Sequence, residues 1–112
     1  MITIDDVVRE TRRVAAEKSD YVYPNKICTY TGCQCIFGVV LSNLFPDKDL
    51  RKYEQQSIHN IIYDIFGKIQ NVKKVSWCIC VQANQDSAMP WGECVANADK
   101  EYPNLKENNN VS

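Results

Sequence analysis

Apolar residues return at every third or fourth position over most of this chain, and that spacing constrains the fold more than any other feature. Ile4, Val7, Val8, Val14 and Ala15, with Thr11 among them, share one face of a helix. Thr3 and Asp6 form a T-x-x-D start signal. Asp5 and Asp6 lie towards one end, and Arg12, Arg13 and Lys18 towards the other, an order that suits the helix dipole. A helix is expected over residues 4–18.

The same period organises the rest. Cys35, Ile36, Val39, Val40 and Leu44 give a broad apolar face to a second helix, expected over 33–44 after Gly32 and ended at Phe45-Pro46. Asp47 is placed to cap a short turn through Leu50 and Tyr53. Ser57 caps a third helix, SIHNIIYDIFG, with Gly67 at its end. KIQNVKK reads as a polar connection. VSWCICVQANQD has the β-formers of a strand, yet Val75, Cys78, Ile79 and Gln82 stand at helical spacing, and helix is the preferred reading. Pro90 fits the first turn of a last helix with Trp91, Cys94, Val95 and Ala98 facing inward and Asp86 or Ser87 as its cap. YVYPNKICTY, interrupted by Pro24 and Asn25, reads as an ordered loop. The expected fold is all-α: a compact array of four to five short helices with an ordered Tyr/Cys-containing loop, one domain over 1–102, and a polar, disordered tail over 103–112.

Charge narrows the function. Thirteen basic residues against fourteen acidic ones give a net charge of −1, whereas nucleic-acid binders usually carry a basic face to neutralise phosphates. No segment approaches the ~20 apolar residues that span a bilayer. The opening MITIDDVVRE is acidic and unlike a secretory signal. A cytoplasmic protein is expected, and with it mostly reduced thiols.

Six cysteines allow three readings. Cys28, Cys33 and Cys35, with Cys78, Cys80 or Cys94, could supply zinc ligands. The spacing C-x4-C-x-C is wrong for a zinc knuckle, and helical residues two apart point about 200° from each other. Cys33 or Cys35 at a helix start could be an activated nucleophile, superficially as in papain-like and cell-wall peptidases. The only histidine, His59, lies on another helix beside its apolar stripe, and no sheet is expected. The favoured reading is that the cysteines are small buried hydrophobes, Cys35, Cys78 and Cys94 on apolar stripes, with any pairing of Cys28 and Cys35 incidental. No cofactor or metal is expected.

Trp77 and Trp91 bracket a polar group containing Gln82, Gln85 and Asp86. Core packing is the favoured reading of the tryptophans; the alternative makes Trp77, Gln85, Asp86 and Trp91 the candidate partner-binding residues. Tyr21 and Tyr23 either pin the loop to the helices or form an exposed strip. Helices within 75–99 have tolerable spacing for a DNA-binding helix pair, but PWGECVANADKEY, with Glu93 and Asp99, makes a poor reading helix.

Two stretches, DYVYPNKICTYTGCQCIFGVVLSNLF and VSWCICVQANQDSAMPWGECVANADKEY, resemble a group of small uncharacterised proteins encoded by bacteriophages of actinobacteria. The matching positions are Tyr21, Val22, Tyr23, Cys28, Tyr30, Cys35, Trp77, Val81, Gln82, Gln85, Asp86, Trp91 and Ala98-Asp99. Ala88 stands where the pattern often has glycine, and Cys94 where it often has alanine. The resemblance spans about residues 2–101. It implies a phage origin and a bacterial host cytoplasm, and supplies no activity. The expected function is a non-enzymatic phage accessory protein that binds a host or phage protein, modulating or inhibiting a host enzyme or defence system. The alternatives are a DNA-associated regulator and, behind it, a Cys-dependent enzyme. Homo-oligomerisation stays open.

Overall fold

The computed structural model describes residues 1–25, 29–32, 34–67, 71–103 and 105. Among these residues five helices run α1 (Ile4–Glu17), α2 (Ile36–Leu44), α3 (Ile58–Phe66), α4 (Val72–Asp86) and α5 (Trp91–Glu101), with one 3-10 turn at Arg51–Tyr53. The fold is all-α, and no strand occurs among the described residues. α4 packs against each of the other four helices. It is the axis of the molecule, which explains why its sequence is apolar on more than one side.

Local chemistry sets most boundaries. The Asp6 carboxylate accepts the Thr3 N–H at 2.8 Å, closing the expected start of α1. That bond, followed by the Arg9 guanidinium, holds the Asp6 carboxyl below its ordinary range. α2 begins later than expected, because Cys35 is its extended N-cap and accepts the Gly38 N–H on sulfur at 3.4 Å. Leu50, rather than Asp47, is the N-cap of the 3-10 turn, and Asp49 Oδ1 just before it accepts the Arg51 N–H at 3.0 Å. Gly67 ends α3 at φ 89°.

Two expectations around α4 need correction. Val72, Lys73 and Lys74 belong to the helix rather than to a polar connection. Asn71 caps it, its side chain accepting the Lys74 N–H at 3.1 Å, and Lys74 pairs with Asp5 of α1. At the other end Asp86 is the last residue of α4 and Ser87 its C-cap, so neither caps α5, whose N-cap is Pro90. The tail expectation also changes. Leu105 is buried in the core, and its N–H reaches the Tyr102 carbonyl at 3.3 Å. Residues 104 and 106–112 lie outside the described residues.

The turn after α4 is a Schellman motif. Ala88 N–H bonds Gln85 O at 3.0 Å and Met89 N–H bonds Asn84 O at 3.2 Å. The motif puts Ala88 in the left-handed region, at φ 68°. A side chain there costs about 1–2 kcal/mol, part of which glycine's greater unfolded freedom cancels. Ala88→Gly is expected to raise stability by about 0.5–1 kcal/mol, measured as a higher urea midpoint at unchanged slope. A lower midpoint would contradict this turn.

Candidate functional site

The four candidate partner-binding residues separate sharply. Trp77 is 0% exposed, Gln85 0% and Trp91 1%, so all three are interior; only Asp86 reaches the surface. Trp77 donates its indole N–H to Asp99 at 3.0 Å, Arg12 reaches the same carboxylate at 2.6 Å, and the guanidinium lies 4.9 Å from the Trp77 ring. That cluster locks α1, α4 and α5 together. Trp91 packs edge-on to Tyr21, ring centroids 4.7 Å apart.

Gln82 and Gln85 have a different task from the one expected of Gln85. Gln85 Oε1 accepts the Ile36 N–H at 2.6 Å, and Gln82 Oε1 accepts the Ile58 N–H at 2.8 Å. Each caps the first residue of another helix, where a backbone N–H has no partner within its own helix. Gln82 also donates to the Tyr30 hydroxyl at 3.0 Å, which itself donates to Gln56 O at 2.6 Å. Two polar residues three apart on the buried face of α4 were the available signal for this role.

The chain outside the helices adds what the sequence reading left open. Trp91 N–H bonds Tyr21 O and Gly92 N–H bonds Ser19 O, both at 2.9 Å, so the start of α5 holds the backbone of 19–21. A Cβ on Gly92 would stand 2.8 Å from Ser19 Cβ, which is why only glycine fits there. Tyr23 turns inward, its hydroxyl 2.9 Å from Thr29 Oγ1. Tyr21 and Val22 remain 40% and 42% exposed. One tyrosine pins the loop, and the other belongs to a surface strip.

Beside that strip a cleft of about 440 Å³ opens between Tyr23, Pro24 and Asn25 on one side and Asp86, Ser87 and Ala88 on the other. Asp86 is partly buried, and burial pushes its carboxyl up, against the opposing effect of the Gln85 amide 3.1 Å away. Among the described residues no basic side chain pairs with it.

The cysteines form no site among the described residues. Cys35 is fully buried and disulfide-bonded, which corrects the expectation of a reduced core thiol there. Its partner, and with it the proposed roles of Cys28 and Cys33, lies outside the described residues. Cys78, Cys80 and Cys94 are free, and burial raises the thiol pKa of each, that of Cys94 to about 12. An activated thiol needs the opposite shift. His59 sits on α3 with Nδ1 2.7 Å from Ser57 Oγ and its ring edge-on to Tyr63. Among the described residues no three His, Cys, Asp or Glu side chains gather as metal ligands, and no helix is long and apolar enough to cross a membrane. No protein-family model matches this chain, and neither a curated protein nor a solved structure does.

Proposed function

We propose that this chain is a small, non-enzymatic bacteriophage accessory protein that acts in the cytoplasm of an actinobacterial host by binding another protein, and so modulates or inhibits a host enzyme or defence system. The observation that carries the reading is the Tyr21–Val22 strip, half-exposed on a backbone tied to α5 and bordered by the Asp86 cleft. Aromatic and aliphatic side chains on a rigid support lose little entropy on docking, so more of their burial appears as affinity. Cys35, one of the two candidate nucleophiles, is disulfide-bonded, which disfavours a Cys-dependent enzyme acting through it. Glu93 and Glu101 on the exposed side of α5 disfavour the DNA-associated regulator. The phage origin rests on the resemblance of the tyrosine-rich and Trp–Gln–Asp segments.

The test is retention of host proteins by the immobilised chain, with Val22→Asp and Val72→Asp compared. Val72 is 76% exposed at the first turn of α4, the opposite end of that helix from Asp86. One host protein should be retained in stoichiometric amount by the wild type and by Val72→Asp, and lost with Val22→Asp. Equal retention by both variants, retention of DNA alone, or no retained protein would overturn the proposal.

A further inference from the structure

Asp86 carries two separate costs. It is a carboxylate at the C-terminal end of a helix, where the dipole favours cations. It is partly withdrawn from water. The Gln85 amide, 3.1 Å away, offsets part of the second but brings no charge. A cation on the carboxylate would offset both. The cleft in front of it is lined by Pro24 and Ala88 as well as by Tyr23, Asn25 and Ser87. Such a space suits an organic cation with an aliphatic stem. A bare metal ion would need several more oxygen ligands than one carboxylate supplies.

We infer that the Asp86 cleft receives an arginine side chain of the partner protein, its guanidinium on the Asp86 carboxylate and its stem between Pro24 and Ala88. The inference rests on the protein-binding reading and names the chemistry of its contact. A guanidinium would neutralise the carboxylate and face the negative end of α4 at once. Its flat face suits the Pro24 wall, and its fork leaves the Gln85 amide undisturbed on Oδ1. Tyr21 and Val22, next along the chain, would cover the apolar residues flanking that arginine.

The probe is N-acetyl-arginine N-methylamide, titrated into the ¹⁵N-labelled protein, with the citrulline analogue as a neutral isostere. Amide shifts are expected at Asn25, Ser87 and Ala88. The citrulline analogue should bind about tenfold more weakly or worse, as loss of a charge-assisted hydrogen bond implies. Asp86→Asn, checked as folded by its otherwise unchanged spectrum, should lose the arginine response. No shift at high millimolar probe, an equal response to citrulline, or an unchanged response in Asp86→Asn would overturn the inference. The two proposals fail separately. A host protein lost with Val22→Asp but kept by Asp86→Asn leaves the docking surface and removes the arginine. A probe that binds the cleft when no host protein is retained does the reverse.

Discussion

Gly38→Ala should cost the fold about 2–3 kcal/mol, against the ordinary preference of a helix for alanine over glycine by about 1 kcal/mol. Gly38 is buried on α2, where backbone from the preceding loop crosses it. A Cβ there would stand 2.7 Å from Thr29 O, 2.9 Å from Gln34 Cβ and 3.1 Å from Tyr30 Cα. Two of the three are main-chain atoms, and they are not free to retreat. Thr29 O accepts the Cys35 N–H at 3.0 Å, the Tyr30 N–H is held by Glu54, and the Tyr30 ring is fully buried with its hydroxyl bonded on both sides. The clash therefore forces either α2 or the loop out of place. Urea denaturation reads the result directly. A variant as stable as the wild type, or more so, would mean that the loop does not lie on α2.

How much of this was legible depends on whether the deciding interaction is local. α1 and α3 followed from one apolar stripe and their end residues, Thr3 with Asp6 and Ser57 with Gly67. α4 was ambiguous because four helices surround it, and a helix buried on several sides loses the clean period that separates it from a strand. Its first turn was misread because Lys73 and Lys74 look solvated, whereas Lys74 is tied to Asp5, sixty-nine residues away. No local pattern announces such a partner. The burial of Trp77 and Trp91 agreed with the favoured core reading, but that of Gln85 depended on where the start of α2 arrives. At Ala88 the sequence held a clue: the resembling pattern often has glycine there, the residue a left-handed backbone favours. The Asp86 cleft needs the 23–25 loop and the end of α4 side by side, and only the fold brings them together.

Replacing Gln85 or Gln82 by methionine should destabilise the protein by about 1–3 kcal/mol each, because each change strands a buried backbone N–H while nearly preserving side-chain volume. The two effects are expected to differ. Gln85 is 0% exposed and its acceptor bond to Ile36 is 2.6 Å; Gln82 is 7% exposed and its bond to Ile58 is 2.8 Å. Water can approach the second site more easily, so Gln85→Met should be the costlier. Global stability alone would not separate lost caps from poor packing, and amide hydrogen exchange does. Gln85→Met should speed exchange at Ile36 beyond the general loss of protection, leaving Ile58 to follow the rest of the molecule. Gln82→Met should do the converse. The pattern would place α4 as the helix that starts two others, with each glutamine supplying the acceptor that α2 and α3 lack at their first turns. Equal exchange at Ile36 and Ile58 in both variants would instead mean that the glutamines merely fill space, and that α2 and α3 find their first hydrogen bonds elsewhere.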